Sequence, residues 1–221
     1  MVNNNCFFFD TSFIFCLDDD KGLKDKINYL LGFFYTCGCK IYISNIVINE
    51  LYQASEKIWY DTFLTKNAIL EGEFTKTQFD SSKSQVQKKM LNEYAQKKNY
   101  TLKVWRSDSC YTQEYKLFAK DYFNILYSNL KGLDIEFIVN YESLSWADVV
   151  KKIIALKDSY SMLDTNDINH YLIADNYNLG YLITCDNDFQ KISDATFSDL
   201  KIINLYKMNQ KDIEIALNPK T

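Results

Sequence analysis

Residues 6–12 read Cys-Phe-Phe-Phe-Asp-Thr-Ser, and this stretch decides how the rest of the chain is interpreted. Its three consecutive phenylalanines predict a strand at the centre of a sheet, because such a strand is covered on both faces. Asp10 follows them directly, and burying a carboxylate without a partner is costly. We therefore expect Asp10 to have a role at the carboxyl end of this strand.

Acidic residues recur where other predicted strands end or helices begin. Glu50 lies in the helix after a predicted strand at Lys40–Ser44, Asp186 closes a strand at Tyr181–Thr184, and Asp167 opens an apolar helix. The carboxyl ends of parallel strands face one crevice, so these acids can converge there. Converging carboxylates repel one another unless a hard cation lies between them. The sequence therefore predicts a divalent metal site formed by Asp10, Glu50, Asp167 and Asp186.

Strands and amphipathic helices alternate along the chain. Further strands are predicted at Ile135–Val139 and Lys201–Leu205, and a helix at Ile168–Leu179 is expected to end at Gly180. This alternation is typical of βαβ units and predicts an α/β fold with a central parallel sheet. A chain of 221 residues fits one domain, which we assign to residues 1–213 with a tail at residues 214–221.

The charge of the chain is unevenly distributed. The net charge is -4, yet residues 81–106 hold seven basic residues and one acidic residue, Glu93. This stretch is either a solvated face or a surface for RNA phosphates. The candidate RNA-binding residues are Lys88, Lys89, Lys97, Lys98 and Arg106.

The expected compartment follows from features that the chain does not have. The segment Met1–Cys6 lacks the basic start of a signal peptide, and no apolar stretch approaches a membrane span. The six cysteines have no repeated spacing, which favours reduced thiols. We expect a cytoplasmic protein with no membrane partner.

Four short motifs, in this order, resemble the PIN domain family of metal-dependent nucleases. They are Asp-Thr-Ser at Asp10–Ser12, Ser-x5-Glu from Ser44 to Glu50, Asp-x2-His-x3-Ala at Asp167, His170 and Ala174, and Thr-x-Asp-x-Asp-Phe from Thr184 to Phe189. The resemblance implies a three-layer α/β/α, Rossmann-like domain. The long separation of Glu50 from Asp167 departs from the family and predicts a mostly helical insertion at about residues 72–111. Cys185 also stands where many relatives have arginine.

The resemblance implies an endoribonuclease that hydrolyses RNA with one or two Mg²⁺ or Mn²⁺ ions, possible subtypes being a toxin or a defence effector. The four acids would then be catalytic and metal-binding, with Asp188 as a fifth ligand. Ser12 and Thr184 would orient a carboxylate or a bound water, with turn formation as the alternative for both. Asp164 is the alternative to Asp167 as the third acid of the site, but only Asp167 has the motif spacing to His170 and Ala174. We therefore expect Asp164 to be a helix cap or an outer ligand of the metal. His170 is expected to face the core.

Other functions remain open from the sequence. A catalytically idle PIN scaffold would bind RNA or protein through the insertion, although the retained acids favour an enzyme. A phosphatase with Asp10 as nucleophile needs a second acid two residues later, where Ser12 stands. The resemblance to the PIN family also implies two possible partners, which are a protein inhibitor such as an antitoxin and a second copy of the chain in a homodimer.

Overall fold

The computed structural model describes residues 3–17, 22–102, 109–139, 145–160, 163–189 and 199–218. Within these residues five strands form one sheet in which every neighbouring pair is parallel, in the order β3-β2-β1-β4-β5. The strands are β1 (Asn3–Phe9), β2 (Lys40–Ser44), β3 (Asp134–Ile138), β4 (Leu179–Thr184) and β5 (Lys201–Asn204). The predicted α/β class with a central parallel sheet is therefore confirmed.

Helices fill most of the connections between these strands. They are α1 (Thr11–Cys16), α2 (Lys24–Cys37), α3 (Asn45–Leu70), α4 (Lys76–Asp80), α5 (Ser84–Lys98), α6 (Ser109–Leu130), α7 (Trp146–Ser159), α8 (Thr165–Asn176) and α9 (Gln210–Leu217). The helix α9 includes residues 214–217 of the predicted tail, because Ile213 and Leu217 are buried. The parallel sheet with its helical connections is compatible with a three-layer arrangement.

The phenylalanines of β1 form the centre of the core, as the sequence predicts. Phe7 is fully buried and stacks on Tyr181 of β4, with ring centroids 4.8 Å apart. The ring of Phe34 in α2 also packs on Phe7, with the two centroids 4.9 Å apart. The parallel register places Phe7 between Ile41 and Tyr181, so apolar side chains form a continuous row across the sheet.

The boundary between α8 and β4 differs from the prediction. The helix ends at Asn176, and Asn178 rather than Gly180 adopts the left-handed conformation, with φ at 51°. Asparagine tolerates this region better than most side chains, so it can end a helix as glycine does. Gly180 instead lies inside β4, which begins two residues earlier than predicted, at Leu179.

The chain divides into two compact units, which we call the sheet unit (residues 1–50 and 126–221) and the helical unit (residues 51–125). The helical unit has its own apolar core, in which Leu64 and Ala68 of α3 cluster with Leu91 and Tyr94 of α5 and with Tyr115 of α6. The predicted insertion at about residues 72–111 falls inside the helical unit, whose observed bounds are wider. Among the residues that the structure covers, no helix has the length and apolarity to span a membrane.

Candidate metal centre

The candidate site lies where the strand order reverses. The chain passes from β1 to β2 and β3 on one side of the sheet, and β4 and β5 lie on the other side of β1. In open parallel sheets this switch point forms a crevice at the carboxyl ends of the strands. Asp10 directly follows β1, and Asp186 follows β4 after Cys185. Both predicted acids therefore lie at the edge where a ligand crevice is expected.

Asp10 is buried and accepts hydrogen bonds on both carboxylate oxygens. Only 2% of its surface is exposed. Oδ1 accepts from the backbone N–H of Phe13 at 2.8 Å, and Oδ2 accepts from Thr184 Oγ1 at 2.6 Å. Burial raises the pKa of Asp10 to about 6, although the bonds from Thr184, Phe13 and Ser12 oppose that rise. The backbone bond also makes Asp10 the N-cap of α1.

The two predicted supporting hydroxyls link the ends of β1 and β4. Ser12 Oγ lies 2.9 Å and 3.0 Å from the two oxygens of Asp10 and accepts from the backbone N–H of Cys185 at 2.7 Å. Thr184 Oγ1 accepts from the backbone N–H of Asp186 at 2.9 Å. These bonds fix the backbone of the Asp186 loop relative to Asp10, so both hydroxyls do more than form local turns.

Three carboxylates come within mutual reach of one cation. One oxygen each of Asp167, Asp186 and Asp188 lies within 4.8 Å of the others. The Asp186 loop is tightly held, because the N–H of Asp188 donates to Asp186 Oδ1 at 2.8 Å and the side-chain amide of Asn204 donates to the carbonyl of Asp186. Asp10 and Glu50 lie outside this group.

The first turn of α8 holds Asp167 in place. Asp164 is the N-cap of α8 and accepts from the N–H groups of Asn166 and Asp167 at 2.7 and 2.8 Å. Asp167 Oδ2 accepts in return from the N–H of Asp164 at 2.9 Å, which completes a capping box. Asp164 is thus used as the helix cap that the sequence offered as one alternative.

The carboxyl of Asp167 is less acidic than usual. Burial, together with the negative charges of Asp164 and Asp186, raises the pKa of Asp167 to about 6 against the opposing backbone bond. A divalent cation between these acids would remove the repulsion and favour the ionised form. The donor set consists of carboxylate oxygens only, which is the chemistry that Mg²⁺ and Mn²⁺ prefer.

Glu50 is held by three side chains that the sequence analysis did not assign to the site. Oε2 accepts from Thr11 Oγ1 and lies 2.9 Å from His170 Nε2, and Oε1 accepts from Asn166 Nδ2 at 2.5 Å. Burial alone would raise the pKa of Glu50, but the bonds from His170, Thr11 and Asn166 outweigh it and lower that pKa below its ordinary value. Glu50 is therefore an ionised carboxylate at neutral pH.

His170 is buried, as its place in the motif implies, and is 3% exposed. Its other ring nitrogen, Nδ1, has no hydrogen-bond partner in the described part of the chain. Asn166 and His170 are four residues apart and so share one face of α8. Both side chains contact the same carboxylate.

The candidate RNA-binding residues have several acidic neighbours. Lys97 pairs with Glu73 at 2.5 Å and Lys98 with Glu71 at 2.7 Å. Lys89 lies 3.8 Å from Glu93. Lys88 lines a cavity of about 560 Å³ together with Asp61, and Arg106 lies outside the described residues. The positive charge of residues 81–106 is therefore partly neutralised within the helical unit.

Comparison with known proteins gives no match. No protein-family model, no curated protein and no solved structure matches this chain. The chemistry of the acidic group therefore has to be inferred from its own residues and from their motif spacing.

Proposed function

We propose that this protein is a Mg²⁺- or Mn²⁺-dependent nuclease of the PIN type that hydrolyses phosphodiester bonds of RNA. One observation carries the proposal: Asp167, Asp186 and Asp188 each place a carboxylate oxygen within 4.8 Å of the others. They do so beside the buried Asp10, at the switch point of a parallel sheet. A three-layer PIN-like arrangement is part of the same proposal.

The three clustered acids are the residues that would hold a divalent ion. Such an ion supplies a water activated near neutral pH and neutralises negative charge on a phosphate. Asp188 is tied to Asp186 by its backbone N–H, and Asp167 is tied to the first turn of α8. These bonds restrict the carboxylates of Asp186 and Asp167 and the backbone of Asp188, which lowers the cost of assembling the site.

Asp10 and Glu50 have different tasks in this proposal. Asp10 uses both oxygens to bind hydroxyl and backbone donors of β4 and α1, so it orients the loop that carries Asp186. Glu50 is ionised and fixed by Thr11, Asn166 and His170, so it presents a negative charge of defined direction. A direct contact of either acid with a cation remains part of the prediction from the motifs.

The choice of RNA rests on the motif resemblance alone. A toxin or defence role, an inhibitor that covers the acids, and a homodimer follow from the same resemblance and stay predictions. The lysines of α5 provide the sites at which RNA affinity can be tested separately from cleavage.

The test is cleavage of labelled single-stranded RNA and DNA with Mn²⁺ or Mg²⁺, and with a chelator. We expect metal-dependent RNA cleavage that Asp186→Asn and Asp188→Asn each reduce by about a hundredfold or more. Asp158→Asn is the matched control, because this exposed aspartate of α7 undergoes the same loss of charge outside the acidic group.

Two results would overturn the proposal. Tight RNA binding without any cleavage would favour a catalytically idle scaffold. Hydrolysis of a generic phosphate monoester that survives Asp186→Asn would place the chemistry elsewhere.

A further inference from the structure

The strand β3 forms an outer edge of the sheet. It pairs with β2 through the full register from Asp134 to Ile138 and ends the strand order on that side. Within the described residues no other strand pairs with it. A strand in this position presents unpaired backbone N–H and C=O groups, which are a template for one more strand.

On one face of β3, apolar side chains extend the core to the edge of the sheet and are exposed there. Ile41 and Ile43 of β2 are buried, and their register partners on β3 are Ile135 and Phe137. Phe137 is nevertheless 64% exposed, and Val139, two residues later, is 54% exposed. Side chains two residues apart on a strand share a face. The apolar row of the core therefore runs out to solvent at this edge.

The opposite face of β3 begins with acids. Asp134 and Glu136 alternate with the apolar residues and are both exposed. Lys40 of β2 is the register partner of Asp134 and pairs with Glu136. One lysine thus stands against two carboxylates, so these three side chains together carry a negative charge.

We propose that β3 is a docking edge for an extended segment of another polypeptide in which basic and apolar residues alternate. Such a segment adds a sixth strand next to β3 and satisfies the open backbone groups. Its apolar side chains cover Phe137 and Val139, while its basic side chains on the other face meet Asp134 and Glu136. A second copy of this chain fits less well, because its own β3 would bring two more acids to the acidic face.

The inference is independent of the metal site, and its test uses the full chain. The probe is a short fluorescent peptide of alternating lysine and valine, with binding measured by anisotropy. We expect saturable binding that Phe137→Ser weakens by about tenfold. Ile154→Ser is the matched control, since Ile154 is equally apolar, lies on α7 and is 54% exposed.

Two control peptides separate strand addition from simple charge attraction. A peptide of alternating glutamate and valine should bind much more weakly, because it opposes Asp134 and Glu136 with like charges. A lysine-valine peptide that is N-methylated at every residue should lose binding, because neither of its edges can donate hydrogen bonds to β3.

Equal binding of the methylated peptide, or an unchanged affinity of Phe137→Ser, would overturn the proposal. So would self-association of the chain that Phe137→Ser abolishes while the lysine-valine peptide does not bind. That last result would assign the edge to a second copy.

Discussion

At the residue scale, Asp10 combines deep burial with a full set of hydrogen-bond donors. Burial raises its pKa to about 6 from an ordinary value of 3.8, so the folded state holds the proton more tightly than the unfolded chain does. The stability that this proton gives is complete below about pH 4 and is lost as the pH rises through about 6. The metal-free protein should therefore become less stable over this range.

The prediction for Asp10 is a loss of about 2 kcal/mol in the free energy of unfolding between about pH 4 and pH 7, from this group alone. It is measured by urea denaturation in the presence of a chelator. Asp10→Asn should lose correspondingly less stability over the same range, since asparagine does not titrate. An identical pH dependence of the two proteins would contradict the assignment.

The pKa of Asp167 is also raised above its ordinary value, for a partly different reason. Burial and the charges of Asp164 and Asp186 raise its pKa to about 6, so a cation that binds below that pH must displace a proton. We predict that Mn²⁺ affinity falls up to about tenfold per pH unit below pH 6. Calorimetry in buffers of different ionisation enthalpy should detect proton release near pH 6. Release that persists undiminished in Asp167→Asn would argue against this origin.

Some residues of the candidate site could be recognised from the sequence, and others could not. Asp10 and Asp186 were recognisable because each follows an apolar run that ends at the ligand-binding edge of the sheet. The support of Glu50 by Thr11, Asn166 and His170 was not recognisable. It depends on how closely α8 approaches α3 in space, and the motif spacing of one helix does not determine that distance.

At the element scale, the first turn of α8 separates a capping role from a metal-binding role. Asp164 caps the helix and Asp167 returns the bond. We predict that Asp164→Ala lowers the free energy of unfolding by about 1 kcal/mol and that Asp164→Ser, which retains a capping oxygen, restores most of it. Cleavage by Asp164→Ser should stay near the wild-type rate. A loss of cleavage by Asp164→Ser, with normal stability, would identify Asp164 as a ligand instead.

The helix α5 gives a prediction about RNA affinity under the proposed function. Lys97 forms an ion pair with Glu73, whereas no ion pair among the described residues includes Lys88. Lys88→Ala should therefore lower the slope of log affinity against log salt by about one, and Lys97→Ala should lower it by less. Filter binding across a salt series measures both slopes. Equal slopes for the two variants would contradict the distinction.

Apolar runs and helical periodicity predicted some strands and helices more accurately than others. All five strands were found because each is a short apolar run with turn signals at its ends. The end of α8 was misplaced because Gly180 is the stronger statistical stop, while the left-handed residue is Asn178. From the sequence, α3 was recognised only as the helix that carries Glu50, whereas the helix runs unbroken from Asn45 to Leu70.

At the scale of the whole molecule, the helical unit has a core of its own. Leu64 is 1% exposed in that core, whereas Leu117 of α6 is 68% exposed. We predict that Leu64→Ala removes about 2–5 kcal/mol of local stability and speeds hydrogen exchange in α5, with β1 and β4 still protected. Leu117→Ala is the control and should change little. Exchange that quickens equally in β1 and α5 would mean that the two units unfold together.

The bounds of the helical unit could not be obtained from the sequence. An insertion at about residues 72–111 was inferred from the long separation of Glu50 from Asp167. The helical unit that contains these residues extends from residue 51 to residue 125 and includes most of α3 and α6. The side chains that extend it, such as Leu64 and Tyr115, follow the ordinary apolar spacing of a helix and give no sign of which core they join.

The pairing of β1 with β4 also sets an order of events during synthesis. Asp10 is made more than 170 residues before its partner Thr184 and the acids Asp186 and Asp188. At a ribosomal rate of roughly 5–20 residues per second, this delay is on the order of ten seconds. The acidic group cannot assemble in a chain that stops before it. Under the proposed function, a nascent or prematurely terminated chain would be harmless to the messenger RNA that encodes it.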